Sequence, residues 1–307
     1  MSAAAMDIPA PQRLTESALA AAALPAGRLE TLAAVARRAA EAGAEQLRLH
    51  FGQLERIREK GRAGDLVTEA DVAAERAVLA VLEQETPELG VLAEEGGRRE
   101  GRGSTLEWCV DPLDGTTNYA HGYPLFGTSI GLTVAGVPLL GALAVPVLHE
   151  LYWSAPGLGA WCNDSPLRVT DCTAVAQALL VTGFAYDRHT RLDNNYAEFA
   201  WFTHRSRGVR RGGAAAVDLA FVAAGRLDGY WERGLSPWDL AAGIALVEGA
   251  GGVVCAYDGS PARLADGRII ACAPGLRQQL IDGLAQCLPL PGSSFGAPEL
   301  DLPAAAP

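Results

Sequence analysis

A mixed α/β fold, α+β in its first half and α/β in its second, is what this 307-residue sequence predicts, and three observations carry it. Two long segments of helical periodicity open the chain. A block from Gly127 to Trp161 reads as strands separated by turns, and beyond about Ala174 short apolar strands alternate with helices. Hydrophobic residues make up 49% of the chain, enough for a large core in one big domain or two fused subdomains.

The first helix is expected over Leu29 to Leu49, where Leu32, Val35, Ala36, Ala39 and Leu47 recur at helical spacing and Gly52 closes the segment. Gly43 on the same face weakens a helix interior but permits close packing against a neighbour. After the short segment Ile57-Arg58-Glu59-Lys60, Thr68 to Glu85 repeats the helical period through Ala73, Ala77, Leu79, Val81 and Leu82, and Pro87 ends it. Val91-Leu92-Ala93 reads as a short strand that runs into Glu94-Glu95-Gly96-Gly97, an acidic strand end. From Gly127 the breaks at Ala135-Gly136, Pro146 and Gly157-Leu158-Gly159 suggest antiparallel hairpins. The second half reads as strand Leu179 to Phe184, helix Asn194 to His204, helix Ala214 to Ala224, strand Asp228 to Glu232, helix Pro237 to Glu248 and strand Gly252 to Tyr257. The expected division is an N-terminal α+β subdomain over 28–175 and a C-terminal α/β subdomain over 176–288, with the site in the cleft between them. Residues 1–27 read as a frayed extension and 289–307 as a loose tail.

A formal net charge of −11 argues against sequence-independent binding to nucleic acid or to an anionic membrane, both of which need a basic surface. No run of about 18 apolar residues is present to cross a bilayer, and the first 27 residues lack the basic start and apolar core of a secretory signal. The six cysteines show no Cys-x-x-Cys spacing, so neither a zinc ribbon nor a disulfide framework is suggested, and reduced thiols in a cytoplasmic protein are expected. The five histidines form no pair at metal-ligand spacing.

Residues 111–118, Asp-Pro-Leu-Asp-Gly-Thr-Thr-Asn, are the most informative stretch. They follow the mostly apolar run Leu106 to Val110, so Asp111 is expected where a buried strand ends and the backbone turns. Pro112 biases Asp111 towards an extended conformation, and Gly115 lets the backbone approach a ligand closely. With a helical turn starting near Thr116, the amides of Gly115 and Thr116 would point at an anion such as phosphate. Carboxylates beside a phosphate imply a metal ion between them, because like charges repel. The plainer alternative is an Asp-rich surface turn, the usual meaning of Asp-Gly. Two further carboxylates sit at helix starts: Asp239, behind Pro237 in Ser236 to Gly243, and Asp71, on the first turn after Thr68. Each taken alone is an ordinary N-terminal helix carboxylate.

Four separated motifs in order, Asp65 to Asp71, Ala93 to Gly96, Asp111 to Asn118, and Trp238 to Gly243 followed by Glu248 to Gly252, together resemble the Mg²⁺-dependent, lithium-sensitive inositol monophosphatase family over roughly Leu29 to Leu284. The segments Thr182 to Asp187 and Asp228 to Gly234 look most like its bacterial, particularly cyanobacterial or chloroplast-type, members. The resemblance implies a layered αβαβα sandwich of paired helices, an antiparallel sheet, a middle helical layer, a mixed sheet and an outer helix. It implies that Glu94, Asp111 and the Leu113 carbonyl hold one Mg²⁺, that Asp111, Asp114 and Asp239 hold a second, and that a third, weaker ion uses Glu94 and water. By the same resemblance Thr116, hydrogen-bonded towards Asp71, helps Glu94 deprotonate the attacking water in a two-metal hydrolysis. The amides of Gly115 and Thr116 would hold phosphate, while Asp114, Gly213, Ala214, Ala215 and Glu232 lie along a small phosphorylated polyol. A homodimer is the implied assembly.

The sequence departs from the family pattern at Ala214, where many members carry Thr or Ser, and at Gly96, where Ser or Thr is common. Both departures bear on substrate identity rather than on hydrolysis. The expected substrate is myo-inositol monophosphate; histidinol phosphate, fructose 1,6-bisphosphate and a 3′-phosphoadenosine nucleotide are rivals within the same chemistry, and a non-catalytic regulatory binding protein is a rival outside it. Arg210 and Arg211 either attract phosphate into the cleft or pair with carboxylates.

Overall fold

The computed structural model describes residues 24–54, 57–59 and 66–290. Most of the expected extension and tail, and Asp65 of the first motif, lie outside them.

Helix α1, Ala26–His50, starts two residues inside the expected extension and packs against helix α2, Glu69–Glu85. The start of α2 is fixed by a capping box: the Thr68 hydroxyl oxygen accepts from the Ala70 amide at 3.1 Å, and Asp71 Oδ2 accepts from the Thr68 amide at 2.8 Å. Both helices cover one face of an eight-stranded sheet in the order β10-β9-β8-β7-β6-β5-β3-β4. Its strands are β3 (Gly90–Ala93), β4 (Gly97–Arg99), β5 (Leu106–Asp114), β6 (Gly127–Val134), β7 (Val137–Val145), β8 (Glu150–Ala155), β9 (Gly159–Cys162) and β10 (Ser165–Pro166). A small ribbon of β1 (Ile57–Glu59) and β2 (Leu66–Thr68) leads into α2. The large sheet is antiparallel as expected except where β3 and β5 run parallel: β4, between them in sequence, turns back on the outer edge of β3, and the chain then crosses over to β5 on its other side.

One expectation is corrected here. The strand that was to end at Asp111 runs on to Asp114, and the turn follows at Gly115 before the short helix α3, Thr116–Ala120. Its ladder is irregular: Asp111 faces Ser129 and Asp114 faces Gly127, so three steps on β5 match two on β6. Pro112 has no amide to donate, which makes it the natural place for the ladder to break. In a regular strand residues three apart point to opposite faces. Ser129 and Gly127 lie on one face of β6, so the extra residue turns both carboxylates to that same face.

On that face lies the middle layer, α5 (Ala215–Ala223) and α6 (Pro237–Gly249). Gly131 of β6 and Gly141 of β7 are directly paired, and α6 rides on them: a Cβ at Gly131 would meet Ala241 Cβ at 2.5 Å, and one at Gly141 would meet Ala242 Cα at 2.5 Å. Gly243 on the opposite side of α6 packs on Leu219 of α5. The small residues Ala241-Ala242-Gly243 are thus a packing requirement of a helix squeezed between a sheet and another helix. Gly43 does the same for α1, its Cβ position lying 2.6 Å from Thr128 Cγ2 of β6.

Beyond the middle layer comes a five-stranded mixed sheet, order β12-β11-β13-β15-β14, from β11 (Leu179–Thr182), β12 (Gly208–Arg210), β13 (Gly229–Arg233), β14 (Val253–Cys255) and β15 (Arg268–Cys272). Helices α4 (Tyr196–Arg205) and α7 (Arg277–Gln286) form the outer layer, one helix more than the resemblance implied. The layered αβαβα architecture is therefore present, with one apolar core between α1 and α2 and the large sheet, one around the middle helices that reaches both sheets, and one between the small sheet and α4 and α7. Strands β12 and β15 and helix α7 were not read from the sequence; Ile269-Ile270-Ala271 is apolar, but a run so short does not declare its type.

Gly141→Ala is expected to destabilise the protein by about 1–3 kcal/mol through overpacking against α6. An unchanged urea midpoint would mean that α6 does not rest on the glycine pair.

Candidate active site

The carboxyl end of β5, the start of α3, the N-termini of α5 and α6 and the end of β13 surround a cleft of about 410 Å³. Glu94, Asp111, Leu113, Asp114, Gly115, Thr116, Gly213, Ala214, Ala215, Glu232 and Asp239 all line it, so all but one of the expected site residues come together. The exception is Asp71. Fully buried behind the cleft wall, it reaches the site only through Thr116, whose Oγ1 lies 3.1 Å from Asp71 Oδ1 and 3.0 Å from the Leu113 carbonyl oxygen.

Asp111, Asp114 and Asp239 are each held by backbone amides. Asp111 Oδ1 accepts from the Leu113 amide at 3.0 Å. Asp114 Oδ2 accepts from the Val217 amide at 3.1 Å, in the first turn of α5, and the amides of Ala215 and Ala216 also act on it. Asp239 stands third in α6, where its Oδ2 accepts from the Ser236 amide at 2.7 Å, the same arrangement that Asp71 makes in α2. Gly115 has a left-handed conformation with φ +88, and a Cβ there would meet Ala214 Cβ and the Leu125 carbonyl at 3.0 Å, so only glycine fits. An aromatic cluster of Phe51, Tyr119 and Phe126 supports α3 from below, with the Tyr119 hydroxyl donating to the Leu47 carbonyl at 2.7 Å.

Burial and mutual repulsion drive these groups towards their neutral forms. Burial raises Asp111 well above the usual carboxylate range, and the charges of Glu94, Asp114 and Asp239 raise it further. Asp239 is raised by burial and then by Glu94. Asp114 is pushed up to about 7 by burial despite its three amides, and Asp71 to about 6 by burial against the opposing Thr68 hydrogen bonds. The charged groups acting on Asp111 are all carboxylates, so the cluster asks for a cation. Among the described residues no three His, Cys, Asp or Glu side chains are gathered closely enough to hold a metal ion by themselves. Hard oxygen donors along an open wall suit an ion such as Mg²⁺, which keeps several waters and completes its shell with substrate oxygens.

Glu232, also in the cleft lining, has a different setting. Burial pushes Glu232 up to about 7, opposed by the Tyr230 hydroxyl, which donates to its Oε2 at 2.7 Å, and by Arg211 and Arg233. Arg211 lines the cleft, whereas Arg210 is exposed at the end of β12 and does not. Three features were not found in the sequence: Asp218, raised well above its usual value by burial, and the cleft-lining Tyr186 and Arg188. Asp218 is the fourth residue of an apolar helix, where a lone carboxylate is a signal; Tyr186 lies inside the family-like segment Thr182 to Asp187, which carries no role for it, and Arg188 follows in irregular chain that offers no signal.

The inositol monophosphatase family profile matches residues 28–288. A Synechocystis protein named inositol-1-monophosphatase is 51% identical over 244 residues, covering 80% of this chain and 85% of that one. A Pasteurella multocida protein named Nus factor SuhB is 38% identical over 224 residues, covering 73% of this chain and 84% of that one. Among solved structures, an inositol monophosphatase from Anabaena superposes with a TM-score of 0.78 at 46% identity, covering 86% of this chain and 98% of that one. No helix among the described residues is long and apolar enough to cross a membrane.

In a chelator, Asp71, Asp114 and Glu232 bind protons more tightly in the folded protein than in the unfolded chain, where carboxyls titrate near 4. Their contribution to stability is therefore full below about 4 and is lost as pH rises through about 6 to 7. In EDTA the Tm is expected to be higher at about pH 5.5 than at about pH 7.5. A flat or inverted dependence would show that the carboxylate cluster is not electrostatically strained.

Proposed function

The chain belongs to the inositol monophosphatase family and is a phosphatase, and from that premise we propose that it hydrolyses a phosphate monoester of a small polyol, myo-inositol monophosphate first, with Mg²⁺. The observation that carries this reading is the convergence of Glu94, Asp111, Asp114 and Asp239 on one cleft that Glu232 also lines. Glu94, Asp111 and the Leu113 carbonyl would hold one ion and Asp111, Asp114 and Asp239 another, Asp111 bridging; a third would use Glu94. When bound, Mg²⁺ lowers the pKa of a water molecule, neutralises phosphate charge and stabilises the leaving oxygen.

The chain's own residues then have distinct tasks. Thr116 has one hydroxyl proton and two acceptors at hydrogen-bonding distance. With the Leu113 carbonyl engaged as a ligand, that proton goes to Asp71, and a Thr116 lone pair is left to orient the attacking water. Asp71 is itself fixed by the Thr68 amide and hydroxyl, at 2.8 and 2.6 Å, so the orientation is rigid. Glu94 takes the water's proton. The amides of Gly115 and Thr116, at the left-handed turn that starts α3, hold phosphate oxygens. Glu232 accepts from polyol hydroxyls, while Gly213, Ala214 and Ala215 pass along the ring; with no hydroxyl at Ala214, recognition of the alcohol rests more heavily on Glu232. The Pasteurella relative is named as a Nus factor rather than as a phosphatase, but the intact set of carboxylates here favours hydrolysis.

With Mg²⁺ present, kcat/KM is expected to be highest for inositol monophosphate in a panel with histidinol phosphate, fructose 1,6-bisphosphate and 3′-phosphoadenosine 5′-phosphate. A much better rate on any of the others would sink the substrate assignment. Li⁺ is expected to inhibit.

Asp114→Asn keeps an oxygen for the Val217 amide and removes one of the crowded charges. It is expected to unfold no earlier than the wild type in EDTA, to lose the Mg²⁺-induced rise in Tm, and to lose at least about a hundredfold in turnover. An active variant still stabilised by Mg²⁺ would overturn the ligand assignment.

A further inference from the structure

Arg233 follows Glu232 directly on β13, yet its side chain turns away from the cleft and is only 6% exposed. It forks onto Asp187, with Nη2 to Oδ1 at 2.6 Å and Nη1 to Oδ2 at 3.4 Å, and its Nε lies 3.5 Å from Asp193 Oδ1. Arg268 of the neighbouring β15 closes on Asp193 as well. Two arginines of the small sheet therefore grip residues 187 and 193 of one irregular segment. The segment is also pinned at its ends: Asn195 Nδ2 donates to the Gly183 carbonyl at 2.7 Å and to Thr182 Oγ1 at 2.8 Å, and its Oδ1 accepts from Trp231 Nε1 at 2.7 Å. Between these anchors Phe184, Ala185, Tyr186 and Arg188 line the cleft. Gly183 backs directly onto the Glu232 carboxylate, and a Cβ at Gly234 would meet Ala185 Cβ at 2.6 Å. The segment thus abuts the wall on which the alcohol of the substrate would lie, and it supplies none of the crowded carboxylates.

We propose that Arg233 is a positioning residue for substrate selection: through Asp187 and Asp193 it holds segment 185–193 as the cleft wall that presents Tyr186 and Arg188 to the hydroxyl-bearing ring of a polyol phosphate. The inference rests on the phosphatase reading and deepens it. A buried guanidinium needs its carboxylates, and a forked pair fixes an angle as well as a distance, so a loop without regular secondary structure is given one geometry. Chemistry at phosphate stays with β5, α5 and α6; discrimination among alcohols falls to β13 and the segment it grips.

The test compares wild type with Asp187→Ala, Arg233→Met and the double variant, each checked for folding by Tm. The substrates are the panel ester that the wild type turns over best and p-nitrophenyl phosphate, which carries no polyol. Each variant is expected to lower the ratio of kcat/KM for the polyol ester to that for p-nitrophenyl phosphate about tenfold, chiefly through KM, as one lost hydrogen bond's worth of positioning would. The double variant is expected to be no worse than Arg233→Met alone, and hydrogen exchange of residues 185–193 to quicken in all three. An unchanged ratio in a folded variant overturns the proposal, as does unchanged exchange. Asp187 is partly exposed, so Asp187→Ala carries the test where Arg233→Met does not fold. A wild type inactive on every ester, p-nitrophenyl phosphate included, would overturn the phosphatase reading, while the exchange measurement would still decide whether Arg233 holds the wall.

Discussion

Crowded, buried carboxylates are the constraint around which this molecule is arranged. Asp111, Asp114 and Asp239 are driven towards neutrality by burial first and by other carboxylates as well. A fold that had only to be stable would place an arginine among them. Instead each is stabilised by backbone amides: Leu113 for Asp111, the first turn of α5 for Asp114, Ser236 for Asp239. An amide hydrogen bond to a charged oxygen contributes about 1.5–3 kcal/mol without cancelling the charge. Amides therefore make the cluster tolerable while leaving its negative potential for a cation to use.

That solution dictates the architecture around it. Amide donors without partners of their own occur at helix N-termini, so α5 and α6 must both start at the cleft. They can do so only by lying flat on the large sheet, which the paired glycines of β6 and β7 and the small face of α6 permit. The irregularity at Pro112 then turns Asp111 and Asp114 to the same side, towards those helix starts. Removing any one of these features separates charges that the others were placed to hold.

Much of this was legible in the sequence because it is written in local chemistry. Thr68-x-x-Asp71 and Ser236-x-x-Asp239 carry the spacing of capping boxes, and both prove to be such boxes, with the carboxylate third in its helix. Gly115 is expected to let the backbone approach a ligand, and in the fold it takes a left-handed φ of +88. What local chemistry could not supply was parity. Nothing in Asp111-Pro112-Leu113-Asp114 says that carboxylates three apart share a face; that follows from the pairing with β6, a relation between segments some 15 residues apart. The grip of Arg233 on Asp187 and Asp193 was illegible for the same reason, since its partners lie 46 and 40 residues away in irregular chain. Asp71 was correctly tied to Thr116, but its complete burial appears only once α2 is packed on the sheet.

The two departures from the family pattern separate once their surroundings are known. A Cβ at Gly96 would stand 2.9 Å from Glu75 Oε1, and Glu75 Oε2 accepts from the Glu95 amide at 3.0 Å. Glycine there keeps the turn after Glu94 tight against a buried carboxylate, so this difference concerns how Glu94 is supported and not which alcohol is bound. Ala214 is different. It is buried at the start of α5, its methyl against Gly115 and its backbone in the cleft, between the groups that would hold phosphate and the wall that would hold the ring. On the proposed function, a missing hydroxyl at that junction would remove a contact to the substrate without loosening any carboxylate. Selectivity would then rest on Glu232 and on the neighbouring segment that Arg233 holds through Asp187.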